Sequence, residues 1–307
     1  MELHLFRLIG GAIMGLGAFS CILLNSLLLI AVIRDPLKKL QKISNFLLVH
    51  LFACDLMVGL LFLTYRTYFV FVHFGDVNAP NYRKLSAVNS VFLYGDFFTA
   101  VCLSIDRYEA IMNPIQHRQK MDVKRYMVYS AIIWVSSLVF SADLVMYSTT
   151  SNLNAVKVFG VSIILIIILM TVYIRVRMTM RSQENNRQHE DLLASHDSSR
   201  SVISTRLTRR KNVIQLLTLI LVMELVTFLI MAFTETYVAS RGNKLSYETK
   251  QAMGTVRFFM YALNVIFNPT ICIVKMKNFR HSIKALFTCS RKPSTSPRTA
   301  SQQSKVT

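Results

Sequence analysis

Seven stretches of this chain, about residues 8–33, 43–71, 85–111, 124–147, 155–178, 212–238 and 252–274, are predominantly apolar over twenty residues or more. Roughly 20 helical residues cross the ~30 Å hydrocarbon core of a bilayer. Backbone polar groups in that core must be satisfied within the segment, so such runs predict helices. The expected fold class is therefore an all-α membrane protein, a seven-transmembrane helix bundle. The first run exceeds the 7–15-residue apolar core of a signal peptide, so it is read as a retained helix after an extracellular N-terminus of residues 1–7. The second run is broken late by Thr64-Tyr65-Arg66-Thr67, which predicts interfacial outer turns. Only 17% of the 307 residues are charged, against about 25% in a soluble domain.

The net charge of +19 lies mainly in the connections. Arg34, Lys38, Lys39 and Lys42 follow the first run, and Arg118, Lys120, Lys124 and Arg125 follow the third. Arg206, Arg209, Arg210 and Lys211 precede the sixth, and Lys275, Lys277, Arg280 and Lys284 follow the seventh. Connections on the other side are sparser. The positive-inside bias predicts an outside N-terminus and a cytoplasmic C-terminus, with seven spans between. Nucleic acid is not expected as a partner, because the basic residues flank apolar runs. Residues 182–205 are polar and read as a flexible cytoplasmic loop. Residues 277–288 read as an interfacial helix, with Phe279, Ile283, Leu286 and Phe287 facing membrane lipids. Cys289 after it is a palmitoylation candidate, and 289–307 form a disordered cytoplasmic tail. Cys21, Cys54, Cys102 and Cys272 lie inside apolar runs, so no extracellular disulfide is expected. Gly11-x-x-x-Gly15 permits close helix association.

Polar residues recur at one depth. Counting from each helix's basic end at 1.5 Å per residue, Asn25 lies roughly 13 Å in, Asp55 about 18 Å, Asp96 and Asn264 about 16 Å, Asn268 about 10 Å and Glu224 about 19 Å. Five helices thus converge on one polar layer. A structural knot of interhelical hydrogen bonds accounts for the amides. Two or three carboxylates need a proton or a cation between them. Eleven residues below Asp96 stand Asp106-Arg107-Tyr108 at the foot of the third run. Ionisable residues at such depth are functional candidates by default. No catalytic constellation is read from the chain, so an enzyme is not expected.

These residues carry a resemblance. Asn25, Ser44-Asn45-Phe46-Leu47-Leu48 with Asp55-Leu56, Phe74-Gly75, Asp106-Arg107-Tyr108 with Pro114-Ile115, Trp134, Tyr173, Asn268-Pro269 and Phe279-Arg280 occur in order along the chain. The pattern is similar to that of rhodopsin-like (class A) G-protein-coupled receptors. The resemblance implies that Asp106 holds Arg107 at rest and that Arg107 is released to meet a heterotrimeric G protein. It implies that Pro114 shapes a loop whose Ile115 plugs into that partner, and that Tyr173, Asn268 and Pro269 belong to the activation switch. It also implies an unknown extracellular ligand and arrestin binding by the Ser/Thr-rich tail. A site for Na+ or a proton at Asp55, Asp96, Asn264 and Asn268 follows from the same comparison, with Asp96 standing where relatives carry serine.

Departures narrow the expectation. Cys272 replaces the tyrosine that usually ends the seventh-helix motif, and the sixth helix lacks the family's Trp and Pro over Met223-Glu224-Leu225-Val226-Thr227-Phe228-Leu229. Arg209 and Arg210 stand where some relatives place an acid to lock Arg107, so basal activity is expected to be high. The short second outer loop without a cysteine resembles the melanocortin, cannabinoid and lysophospholipid receptors. Asn89 replaces the amine receptors' aspartate, and Ala262 the opsins' lysine, which excludes retinal as cofactor and argues against a monoamine. Asn89, Leu93, Arg257 and Tyr261 are the candidate ligand contacts, suited to a small or lipid-like molecule; Arg257 would favour an anionic head group, or else snorkels to the interface. The rival readings are an ion- or proton-responsive transporter or channel and a non-signalling decoy receptor.

Overall fold

Helix α1 (Glu2–Arg34) enters the bundle and ends in a turn built around Asp35. Asp35 takes a positive φ of 25°, which Asp tolerates better than most residues. Its carboxylate accepts the amides of Leu40 and Gln41 at 2.8 and 2.9 Å. Gln41 in turn donates to the carbonyls of Val32 and Ile33, which the ending helix leaves without intrahelical donors. The computed structural model describes residues 2–38, 40–41, 45–72, 82–120, 122–146, 156–164, 166–168, 170–171, 174–175, 178, 181–182, 197–241 and 244–288.

The second span combines α2 (Phe46–Met57), a π-helical segment (Val58–Leu63) and α3 (Thr64–Val72). Then come α4 (Tyr82–Met112), the short α5 (Pro114–Gln119), α6 (Val123–Met146) and α7, residues 156–164. α8 (Asp197–Arg241), α9 (Tyr247–Lys275) and α10 (Lys277–Thr288) complete the order. Among the described residues six helices are long and apolar enough to cross a membrane, and Val156–Ile168 adds a shorter apolar helix. No strand occurs among the described residues. The protein is a multi-pass helical membrane protein.

Residues 2–7 form the first turns of α1. Helix α8 begins at Asp197, ahead of its apolar span Thr218–Arg241, so the later part of the expected 182–205 loop is helical. Polarity alone suggested a loop there, but Asp197–Arg241 contains no Gly or Pro. Extending a nucleated helix adds one hydrogen bond per residue fixed, so it is cheap.

α4 lies centrally, against α2, α6 and α8, while α1 packs on α2, α3 and α9. Gly59 permits the α1 approach: a Cβ there would stand 2.9 Å from Cys21 Sγ. Gly11 and Gly15 face Phe71 and Thr67, so the small-residue motif packs within this chain. Phe97 meets Phe228 edge-on at 5.3 Å, joining α4 to α8, and Phe52 meets Phe279 at 5.9 Å, joining α2 to α10. Phe279, Ile283 and Leu286 therefore pack into the bundle, and from the expected lipid-facing stripe of α10 only Phe287 is largely exposed.

α9 carries Pro269 within the helix. Proline lacks the N–H that would bond the carbonyl four residues back, that of Val265. Asn25 Nδ2 donates to this carbonyl at 3.2 Å and to Cys21 O at 3.0 Å. Asn25→Ala is expected to cost about 1–3 kcal/mol by orphaning a buried carbonyl. A lower melting temperature in detergent would register it; an unchanged one would remove Asn25 from this role.

Candidate functional site

Three polar sites stack along the bundle, beginning at the foot of α4. Asp106 is fully buried. Arg107 Nε lies 3.6 Å from its Oδ2, while Tyr126 on α6 donates its hydroxyl to Oδ1 at 2.8 Å. His117 Nε2, on α5, lies 3.0 Å from the same oxygen. Asp106 thus has three partners, two of which the motif did not reveal. His117 is positioned by the helix break at Asn113, after which Pro114 opens α5 at the first helical position. Beside them Arg125 bridges Glu109 and the Tyr129 hydroxyl, a second tie between α4 and α6. Ile115 on α5 is an apolar side chain that is 74% exposed. Tyr173 and Cys289 lie outside the described residues, as do the side chains of Pro114, Arg209 and Arg210.

Mid-bundle, Asn25, Asp55, Asp96, Glu224, Asn264 and Asn268 are all fully buried. The depth count therefore located one real layer. Asn268 Nδ2 donates to Asp55 Oδ2 at 3.2 Å, joining α9 to α2. Glu224 faces Asp96, Asn264 and Asn268 but closes no hydrogen bond of good geometry with them, and both Asp96 oxygens are likewise unpartnered. Asp55, Asp96 and Glu224, from α2, α4 and α8, form one group of carboxyl groups. The oxygen-rich donors suit a hard monovalent cation or shared protons. Among the described residues no group of three or more His, Cys, Asp or Glu side chains is arranged to hold a metal ion, so a cation would rest on amide oxygens as well as carboxylates.

At the end away from Asp106, Asn89, Leu93 and Tyr261 are buried. Tyr261 packs near Phe62, whose ring lies 5.0 Å from that of Phe258. The Tyr261 hydroxyl and the Asn89 amide oxygen have no hydrogen-bond partner. Arg257 forms an ion pair with Glu235 of α8 rather than snorkelling alone. Arg66, only 4% exposed, stacks its guanidinium 4.2 Å from the Phe258 ring centre. The outer turns of the second span thus turn Arg66 into the protein. The wide turn at Val58–Leu63, where Thr64 Oγ1 donates to Gly59 O at 2.8 Å, re-aims the residues after it. Arg66 and Glu235 were not among the candidate ligand contacts although a signal was present. Each lies eleven residues, three turns, beyond Asp55 and Glu224, as Arg257 lies eleven before Asn268.

Residues 24–157 match the family described as 7 transmembrane receptor (rhodopsin family). Trace amine-associated receptor 9 of Rattus norvegicus is 31% identical over 134 residues, covering 42% of this chain and 38% of that receptor. Dopamine receptor 2 of Caenorhabditis elegans is 32% identical over 129 residues, 39% of this chain and 14% of that protein. Tachykinin-like peptides receptor 99D of Drosophila melanogaster is 29% identical over 119 residues, 38% and 22% of the two chains. The matched region spans well under half the length of these relatives. Their names are those of amine and peptide receptors, and the melanocortin, cannabinoid and lysophospholipid group is not among these three.

Proposed function

We propose that the chain, whose residues 24–157 match the rhodopsin family of seven-transmembrane receptors, carries an extracellular stimulus across the plasma membrane to a heterotrimeric G protein. In this reading the N-terminus is outside and the Asp106 end is cytoplasmic. The observation that carries it is the buried, multiply held Asp106 beside the partly exposed Arg107, with exposed Ile115 on the adjoining helix. An acid whose partners compete is a two-state element that helix movement can bias. Moving α4 against α6 would exchange Tyr126 and His117 for water and free Arg107 to meet a partner. Ile115 would then bury its apolar surface in that partner, gaining roughly 1.5–3 kcal/mol.

Loosening the hold on Asp106 should raise unliganded output. Tyr126→Phe with His117→Ala is expected to increase basal nucleotide exchange severalfold, by removing about 1–2 kcal/mol of resting-state hydrogen bonding. A double variant with wild-type basal exchange would show that these two bonds do not restrain the switch. The transporter reading gains nothing from the three relatives named above, which are receptors by name. The stimulus is read as a small or lipid-like molecule meeting Asn89, Leu93, Arg257 and Tyr261.

A further inference from the structure

The cluster at the end away from Asp106 supports a sharper statement about that molecule. Arg66 from α3 and Arg257 from α9 approach one another across Gly254: each Nη2 lies 4.0 Å from the point that a Cβ on Gly254 would occupy. The space over Gly254 is therefore bordered by two guanidinium groups from different helices. A single carboxylate or phosphate placed there reaches both. Guanidinium forks match such groups with paired, charge-assisted hydrogen bonds. Arg66 is buried and held flat against Phe258, so it is pre-organised rather than drifting among lipid head groups. Both arginines have other partners as well, so an arriving anion would replace an internal contact, as Glu235 now illustrates at Arg257. One turn deeper on the same face of α9, Tyr261 offers an unpartnered buried hydroxyl beside Phe62. Phe62, Phe258 and Tyr261 supply an apolar wall next to the charged end.

We propose that Arg66 and Arg257 form an anion-binding site over Gly254 that takes the carboxylate or phosphate of an amphiphile, with Glu235 as the internal counter-ion that the ligand displaces and the aromatic wall receiving its apolar part. This names a ligand class within the receptor reading, but binding itself does not depend on signalling. A cluster that merely clamps α3 to α8 and α9 predicts stability losses on mutation and no anion-specific binding.

The test uses the full chain in phosphatidylcholine nanodiscs and measures melting temperature against increasing decyl phosphate, decanoate or decanol. Both acids are expected to stabilise the protein at concentrations about tenfold or more below those needed for decanol, a decade of affinity for the charge. Arg66→Gln and Arg257→Gln should each weaken acid binding by about tenfold or more and leave the decanol response alone. Glu235→Gln should strengthen acid binding. Gly254→Ala guards against misfolding: it keeps every charge, suits a helix better than glycine, and fills the proposed anion space. It too should weaken the acids alone. Adding phosphatidylglycerol to the nanodiscs separates two sources of the anion. Competition identifies a bilayer lipid head group, and no competition a diffusible acid. Decanol binding as tightly as the acids, or acid binding unchanged in Gly254→Ala and Arg257→Gln, would overturn the site. If acids fail to bind while Arg107→Ala still abolishes G-protein turnover, the receptor reading stands and this inference falls.

Discussion

Arg107→Ala is expected to abolish stimulation of nucleotide exchange on a G protein while the variant still reaches the cell surface. Arg107 makes its resting contact with Asp106 through Nε at 3.6 Å, long for a hydrogen bond. Asp106 keeps the shorter contacts to Tyr126 and His117 when Arg107 is removed. Asp106 therefore stays held in the variant, and surface expression should persist. Contact with a partner is different, because a buried arginine anchor at an interface is commonly worth 2 kcal/mol or more, roughly a 30-fold loss. Exchange measured with purified G protein, alongside surface labelling, decides the matter. Full exchange activity in the variant would remove Arg107 from the output switch, and lost surface labelling would make it structural.

Sodium is expected to stabilise the resting bundle, and Asp96→Ser to erase that response. Asp55, Asp96 and Glu224 come from α2, α4 and α8, and Asn264 and Asn268 from α9. Three adjacent carboxyl groups cannot all be charged without a cation or shared protons among them. A cation bound there would tie four elements together. By mass action it would raise stability by about 1.4 kcal/mol per tenfold rise in concentration above its dissociation constant. The measurement compares melting temperature and unliganded signalling in sodium and choline at equal ionic strength, wild type against Asp96→Ser, repeated across pH. A sodium-dependent wild type and an indifferent variant support cation regulation. Dependence on pH alone supports proton sharing, and identical curves under all conditions reduce the layer to structural glue.

Much of this architecture was legible because the bilayer imposes simple rules. Apolar runs of fixed length marked the spans, and counting 1.5 Å per residue brought Asn25, Asp55, Asp96, Glu224, Asn264 and Asn268 to one depth, where all prove fully buried. Side-chain direction was less accessible. Arg66 was read as interfacial because it interrupts an apolar run, but its burial against Phe258, beyond a π-helical turn, was not legible there. The helical start of α8 at Asp197 was hidden because local polarity does not reveal whether a neighbouring helix continues.

The foot of α4 shows the division most clearly. The sequence by itself determined that an aspartate and an arginine stand together at the end of a membrane helix, because adjacency and span length are local properties. Only the tertiary structure decided who restrains the aspartate. His117 lies eleven residues away and Tyr126 twenty, on two other helices, and nothing in their local pattern announces the contact. Helix formation depends on neighbours within a few residues, whereas these bonds depend on how α4, α5 and α6 pack. The same holds for Arg66 and Arg257, which are 191 positions apart in the chain and meet over a glycine.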